Sequence, residues 1–256
     1  MKNPLQNFVI DFASAWRLLT AVPLPLFPED YDRPPGKSTA FYPLVGLILG
    51  AILTALDLLL RGGLPTGLAT ALLLAVWVSL TGMLHLDGFM DACDGLLPPR
   101  DRARRLEIMK DSRVGAFAVV GVVLLLLIKF NGLIAIPDSR RWVALLTVPT
   151  LARWAMTWSM ARYPLARKEG LSVFFGQGLG WPQVAAASGV AALTVLLLWG
   201  WLGLGLLAVT WLVTILVARL AVVRIGGLTG DIYGTICEVV EVALLVTIVM
   251  AIRLTG

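Results

Sequence analysis

Three carboxylates lie within eight residues of the sequence, at Asp87, Asp91 and Asp94. At about 100° per residue, a helix displaces the second and third by roughly 40° and 20° from the first, so all three share one face. Such a face is electrostatically costly when empty, because like charges at these spacings repel. Oxygen ligands without a Cys and His set favour Mg²⁺, Mn²⁺ or Ca²⁺ over Zn²⁺. The stretch therefore predicts a site for a divalent cation.

A second acidic group occupies residues 224–241 and follows a glycine-rich stretch that ends at Gly230. Asp231 and Glu238 are seven residues apart, so a helix places them on the same side. Glu241 follows within an apolar run, where it either completes the site or forms hydrogen bonds inside the bundle. Glycine-rich turns before helices bind anions through backbone N–H groups, although glycines alone are a weak signal. We predict that this group joins the first one.

Basic residues crowd the end of the segment 85–113. Lys110 and Arg113 suit phosphate oxygens, one as a point charge and the other as a bidentate fork. Arg102 belongs to a run that suits either lipid headgroups or a nucleotide phosphate. Carboxylate-held metals beside such cations are the components of phosphoryl transfer to an alcohol. Two alternatives stay open: the aspartates cap helix ends or pair with the arginines, and His85, the only histidine, makes local hydrogen bonds rather than acting as a base.

The composition decides which elements position these residues. Of the 256 residues, 58% are hydrophobic and only 14% are charged, and the mean hydropathy is +0.85. This composition excludes a soluble enzyme or a DNA-binding domain. The net charge of +5 does not indicate nucleic acid, because the basic residues lie in short segments between apolar runs. Residues 1–256 are therefore expected to form a single membrane domain in contact with the lipid bilayer.

The apolar runs predict an all-α, polytopic membrane bundle of about seven transmembrane helices. Residues 1–39 are proline-rich and begin with an interfacial helix over residues 5–20. Crossing helices are predicted at 40–60, 64–84, 114–136, 141–161 and 234–252, and the run 184–223 is divided in two at 200–203. Because Arg and Lys crowd the connection after the second crossing, the positive-inside rule puts residues 85–113 and 224–241 on the cytoplasmic side of the inner membrane.

Nearly end to end, the chain resembles the cobalamin synthase family of membrane enzymes. The resemblance rests on residues 20–23 (TAVP), 41–46 (FYPLVG), 85–96 (HLDGFMDACDGL), 106–117 (LEIMKDSRVGAF) and 227–231 (GLTGD), with Gly234 and Glu238. It implies the last assembly step of cobalamin: α-ribazole, or its 5′-phosphate, is joined to adenosylcobinamide-GDP with release of GMP, using magnesium. The acidic motif is also similar to that of CDP-alcohol phosphotransferases, but Asp91 stands where their pattern has Ala.

With this resemblance, one or two Mg²⁺ ions are expected to be held by five carboxylates: Asp87, Asp91, Asp94, Asp231 and Glu238. Asp94 or Asp91, ahead of His85, would accept the proton of the attacking hydroxyl. Substrate phosphates would be bound by Lys110, Arg113, Gly230 and Arg102. Association with other cobalamin-assembly enzymes and a homo-oligomer both remain open. The rival hypothesis is a transporter for a corrinoid or a cation, since intramembrane charges also mark ion paths; a third is a non-catalytic membrane scaffold.

Overall fold

The structure is a computed structural model that describes residues 3–24, 33–167 and 171–255. Over these ranges the regular elements are helices, accompanied by one isolated β-bridge between Leu165 and Leu228. The α-helices are α1 (Pro4–Leu19), α2 (Tyr42–Arg61), α3 (Thr66–Leu80), α4 (Leu84–Leu96), α5 (Arg102–Ile108), α6 (Ala116–Ala135), α7 (Asp138–Arg162), α8 (Leu171–Gly176), α9 (Trp181–Trp199), α10 (Gly203–Ile225) and α11 (Gly230–Thr255). The prediction of an all-α protein is confirmed.

Four described segments are long and apolar enough to cross a membrane: Pro35–Arg61, Ala116–Ala135, Trp181–Ile225 and Gly230–Leu254. A fifth arises if the bent pair formed by α3 and α4 counts as one span. The 45-residue segment Trp181–Ile225 comprises α9 and α10, separated by a 3₁₀ turn at Gly200–Leu202. The predicted division at 200–203 is therefore confirmed. A polytopic helical membrane protein is the result, while the count of seven crossings stays a prediction.

One boundary prediction is wrong, because residues 64–84 do not form one continuous helix. The helix ends at Leu80, and the chain bends by 88° before α4 begins. Gly82 and Met83 adopt left-handed backbone angles, with φ of 59° and 60°. The Thr81 hydroxyl also donates to the Val78 carbonyl at 3.0 Å, which completes the end of α3. The three clustered aspartates therefore lie on a short helix of their own rather than at the end of a long span.

Helix α7 corresponds to the predicted crossing 141–161, and it lies inside the bundle rather than at its edge. All but one of its residues from Val143 to Thr157 are buried. Gly46 and Gly50 of α2 lie directly against its backbone, at Pro149 and Leu145. Small residues four apart let two membrane helices approach closely. α7 is less apolar than the four segments above, because it meets protein rather than lipid, so its role as a crossing stays a prediction.

The N-terminal segment follows its prediction closely where it is described. Helix α1 matches the predicted 5–20 helix, and the Asn3 side chain caps it by accepting a hydrogen bond from the Leu5 amide at 2.8 Å. One side of α1 packs against the bundle through residues such as Trp16 and Leu19, while Leu5 is exposed. This asymmetry suits a helix at an interface. Part of the proline-rich stretch, residues 25–32, lies outside the described residues.

Candidate active site

Helices α4 and α11 cross at two glycines, and this crossing unites the two acidic groups. A Cβ at Gly88 would lie 2.9 Å from the Asp231 Cα, and one at Gly234 would lie 2.9 Å from the His85 carbonyl oxygen. Both distances are too short for any larger residue, so each glycine is required for the close approach. The Thr235 hydroxyl, 3.2 Å from the Gly88 carbonyl oxygen, adds a hydrogen bond across the same crossing.

Three of the predicted carboxylates gather around this crossing. Asp87 is exposed, while Asp91 and Asp231 are half-buried. Asp91 is close enough to both neighbours for their negative charges to repel its own. Within the described residues, neither Asp87 nor Asp91 forms a side-chain hydrogen bond or salt bridge. The crossing therefore concentrates negative charge that the nearby side chains leave largely uncompensated.

The main compensating charge is Arg167, which is not among the predicted site residues. Its Nη1 lies 3.8 Å from Asp231 Oδ2, and Asp231 also accepts a hydrogen bond from the Thr229 hydroxyl at 3.0 Å. Arg167 is brought there by a short β-bridge, in which the amides of Ala166 and Leu228 each donate a 2.8 Å hydrogen bond to the opposite segment. No spacing in the sequence connects residues so far apart, so this residue could not be found from the sequence.

A cavity joins the aspartates to the basic loop. Among its lining residues are Asp87, Asp91, Asp94, Lys110 and Arg113. The predicted association of the first acidic group with Lys110 and Arg113 is therefore present. We refer to this space as the charged cavity.

Within the charged cavity, Arg113 is held by a neighbouring carboxylate. Asp111 receives a hydrogen bond from Arg113 Nη2 at 2.6 Å and another from the Arg113 amide at 3.0 Å. These bonds lower the pKa of Asp111 to about 2. Arg113 is exposed, so a phosphate can approach it without displacing buried groups. A phosphate at this position would compete with Asp111 for the guanidinium.

Asp94 has a structural role in addition to lining the charged cavity. Its two carboxylate oxygens accept hydrogen bonds from the amides of Gly115 and Ala118, at 2.6 Å and 3.0 Å. These amides belong to the first turn of α6, whose free N–H groups need acceptors. The sequence analysis left helix capping open as an alternative, and for Asp94 the structure adopts it. A role for Asp94 as base or metal ligand stays a prediction.

Glu238 is paired with a base inside the bundle, and its role as a metal ligand stays a prediction. It is buried, and its carboxylate lies 2.5 Å from Lys129 Nζ. The same ammonium lies 2.5 Å from Glu241, and Glu241 also pairs with Arg153. Glu241 therefore forms hydrogen bonds inside the bundle, as one of the two alternatives held. We call these four residues the buried network: two acids and two bases in mutual contact.

His85 adjoins the buried network rather than the charged cavity. Its side chain is buried, with Nδ1 3.5 Å from Arg153 Nη2 and 3.6 Å from Cys237 Sγ. The alternative of local hydrogen bonding therefore describes Nδ1. The other ring nitrogen, Nε2, has no partner among the described residues.

The two remaining predicted residues, Gly230 and Arg102, do not line the charged cavity. Gly230 is exposed at the first position of α11, immediately before Asp231. The Arg102 guanidinium lies over Gly226, where a Cβ would come within 2.6 Å of its Cζ, and Arg102 does not line the charged cavity. Two other arginines act locally: Arg105 and Arg224 donate to the Leu96 carbonyl. They complete the end of α4 and complement its dipole.

The donor set is chemically suited to a hard cation, but its members are not assembled around one. Across the described ranges, no three His, Cys, Asp or Glu side chains are arranged to hold a metal ion. Carboxylate oxygens on α4 and α11 nevertheless converge near one crossing with a surplus of negative charge. Such a surplus favours binding of a divalent cation. The magnesium site therefore stays a prediction.

Comparison with known proteins identifies the family. A family model described as cobalamin-5-phosphate synthase matches residues 11–249. The chain belongs to this family. The match includes both acidic groups, the basic loop and the Gly88 and Gly234 crossing, so the whole candidate site lies within the cobalamin-5-phosphate synthase region. The resemblance read from the sequence motifs is confirmed.

Curated relatives of this chain are named adenosylcobinamide-GDP ribazoletransferases. The relative from Geotalea daltonii is 41% identical over 235 residues, which cover 92% of this chain and 95% of the relative. The relative from Stutzerimonas stutzeri is 41% identical over 241 residues, covering 93% and 97%, and one from Roseiflexus is 37% identical over 239 residues, covering 93% and 88%. No solved structure matches the chain. These names support a transferase of cobalamin assembly over a transporter or a scaffold.

Proposed function

We propose that the protein joins α-ribazole, or its 5′-phosphate, to adenosylcobinamide-GDP and releases GMP. A ribose hydroxyl oxygen of the acceptor would form a bond to the phosphorus that carries the cobinamide. The bond from that phosphorus to the oxygen of GMP would break, and the hydroxyl proton would pass to a carboxylate. The observation that carries this proposal is the charged cavity, in which Asp87 and Asp91 face Lys110 and Arg113.

The basic loop would bind the donor. Lys110 and Arg113 are both exposed and both line the charged cavity, so they can contact diphosphate oxygens. Arg113 would exchange its hydrogen bonds from Asp111 to phosphate, because a phosphate offers the same bidentate geometry with more charge. These contacts would hold the diphosphate against the aspartates and align it with the attacking hydroxyl.

Asp91 is the preferred proton acceptor. It is half-buried, lies between Asp87 and Asp231 in charge contact, and has no hydrogen bond within the described residues that would occupy its oxygens. Asp94 is less suited, since both of its oxygens cap α6. His85 is less suited again, because its ring is buried beside Arg153. We therefore assign the base to Asp91 and the cap of α6 to Asp94.

Magnesium is proposed as the cofactor, held by Asp87, Asp91 and Asp231. These carboxylates suit a hard cation, and their mutual repulsion is what such a cation would relieve. When bound, magnesium would neutralise negative charge on the phosphates and on the leaving GMP. Arg167, beside Asp231, would limit the net charge around the site. We also propose that the site faces the cytoplasm from the inner membrane, because Lys and Arg are concentrated on this side.

The test is conversion of adenosylcobinamide-GDP and α-ribazole by the full chain in lipid nanodiscs. Mass spectrometry would follow the products with and without Mg²⁺. We expect GMP release coupled to a nucleotide-loop product, lost with EDTA and restored by Mg²⁺. Asp91→Asn should lower the transfer rate by roughly 10²- to 10³-fold without loss of folding. The control Glu107→Gln removes an exposed acid on the same loop, paired with Arg104 outside the charged cavity. Full turnover in Asp91→Asn would remove Asp91 from the reaction, and no product from folded wild-type protein would contradict the proposal.

A further inference from the structure

A second cavity lies on the other side of Asp87. Its wall is mainly apolar and includes Leu18 and Leu19 of α1 and Met156 and Met160 of α7. Asp87 lines both this apolar cavity and the charged cavity. The two spaces therefore meet at the candidate site, and a ligand in the apolar cavity can extend to the carboxylates.

Three buried polar atoms border the apolar cavity without a hydrogen-bond partner in the described part of the chain. They are Nε2 of His85 and the hydroxyls of Tyr42 and Tyr233, whose residues are 1%, 1% and 5% exposed. Buried polar groups in folded proteins are nearly always hydrogen-bonded, because leaving one unpaired is costly. Three such atoms around one apolar cavity indicate a ligand that supplies their partners.

The surroundings of His85 determine which of its nitrogens carries the proton. Nδ1 faces the Arg153 guanidinium at 3.5 Å, and a guanidinium only donates hydrogen bonds. Nδ1 must therefore be the acceptor, which leaves the hydrogen on Nε2 in the neutral ring. Arg153 is itself fixed by Glu241 of the buried network. Nε2 consequently presents a donor to the apolar cavity, and the Tyr233 hydroxyl can present a second one.

We propose that the apolar cavity binds the flat heteroaromatic base of the acceptor nucleoside, with the Tyr233 hydroxyl donating to its unsubstituted ring nitrogen and His85 Nε2 available to a further acceptor on the nucleoside. This inference rests on the proposed function and adds a specificity site to it. An apolar wall suits the faces of such a ring, and the Tyr233 donor suits the single in-plane lone pair of its nitrogen. A lipid chain would fill the same volume but would leave both donors unpaired. With the base in the apolar cavity, the attached ribose lies beside Asp87, next to the phosphates bound in the charged cavity.

The first measurement compares two acceptors in the wild-type chain and in Tyr233→Phe, both in nanodiscs. One acceptor is the benzimidazole α-ribonucleoside, and the other is its indole counterpart, in which C–H replaces the ring nitrogen. We expect wild-type kcat/KM to be about tenfold higher for benzimidazole, the effect of one hydrogen bond. Tyr233→Phe should raise the KM for benzimidazole by about the same factor and reduce the preference, while the KM for adenosylcobinamide-GDP stays unchanged. Tyr163→Phe, whose ring does not line this cavity, is the matched control.

The second measurement is equilibrium binding of free benzimidazole without donor or Mg²⁺, which needs no turnover. Binding that is lost in Tyr233→Phe and kept in Tyr163→Phe supports the base site, even if the proposed transfer fails. Transfer that continues in Tyr233→Phe with unchanged acceptor KM and unchanged base preference overturns the base site while the proposed function stands. A lipid that copurifies, blocks benzimidazole binding and is expelled by Leu19→Trp would likewise overturn it, in favour of an acyl-chain site.

Discussion

Helix α11 carries acidic residues in two different environments. Asp231, in the first turn, faces the crossing with α4, where Asp87 and Asp91 add charge of the same sign. Glu238 and Glu241, further along the same helix, are buried and paired with bases. Asp231 is therefore accessible to ligands, whereas Glu238 and Glu241 are paired within the protein. We call the carboxylates at the crossing the open group and the buried network the closed group. Position along one helix therefore separates a site from a structural element.

The charge balance of the two groups explains this division. In the buried network, two carboxylates meet Lys129 and Arg153, so the group is neutral and each charge has a partner. Burial of charges is tolerated only under those conditions. At the crossing, three carboxylates meet Arg167 alone, at 3.8 Å from Asp231. Partial exposure lowers the cost of that imbalance, and a bound cation would remove it.

The largest effect on stability is expected when a base is removed from the buried network. Lys129→Met leaves two buried carboxylates with only Arg153 between them, and we expect it to lower the free energy of unfolding by about 3 to 5 kcal/mol. Unfolding in mixed micelles, followed by tryptophan fluorescence, would measure this loss. Adding Glu238→Gln restores one acid and one base, so the double variant should recover a large part of it.

The matched control for this comparison is Lys110→Met, which removes an exposed lysine that lines the charged cavity. Its free energy of unfolding should stay within about 0.5 kcal/mol of the wild-type value. If Lys129→Met lowered the free energy of unfolding equally little, the ion pairs of the buried network would not be required for folding, and Lys129 would be available to a ligand.

A smaller effect on stability is expected at Asp94, which lines the charged cavity and caps the start of α6. Asp94→Ala should cost about 1 kcal/mol of stability, the usual cost of losing a helix cap, whereas Asp94→Asn or Asp94→Ser should recover most of it. Thermal unfolding of the three variants would rank them. If Asp94→Asn folded normally yet abolished transfer, Asp94 would be assigned to the reacting carboxylates instead.

The sequence predicted much of this architecture, because apolar length and charge spacing are local properties. It predicted the helical membrane fold, the turn at Gly200–Leu202 and a helical face shared by Asp87, Asp91 and Asp94. It missed the bend before α4, since the residues around it, from Leu80 to Leu84, differ little from the apolar run that precedes them. The bend instead depends on two left-handed residues, and one of them, Met83, belongs to a type that rarely adopts that conformation.

Helical periodicity also could not separate Glu238 from Asp231, because seven residues bring both to the same side of a helix. The difference comes from partners that are distant in the sequence. Lys129 is 109 residues before Glu238, and Arg167 reaches Asp231 only through the bridge between Leu165 and Leu228. Such contacts are decided by tertiary packing, so the composition of the acidic set was predictable and its division into open and closed groups was not.

The smallest effect is expected at the exposed edge of the charged cavity, where the Asp111 carboxylate binds the Arg113 guanidinium. Asp111→Asn frees the guanidinium, so we expect the KM for adenosylcobinamide-GDP to fall by roughly two- to fivefold at low salt, and by less at high salt. The pKa of Asp111 is lowered to about 2, so its carboxylate stays charged at every pH well above that value. The pairing with Arg113 is lost only as the pH falls through that region.

The ratio of wild-type to variant KM should therefore be the same at pH 5.5 and pH 8, with Glu107→Gln as a control that leaves Arg113 and its hydrogen bonds intact. Steady-state kinetics at two ionic strengths would measure both dependences. A ratio that changed between these two pH values would mean that Asp111 titrates there, held by a neighbour other than Arg113. A KM that rose in Asp111→Asn would show that Asp111 positions Arg113 for the phosphate rather than competing with it, and the carboxylate would then belong to the binding site.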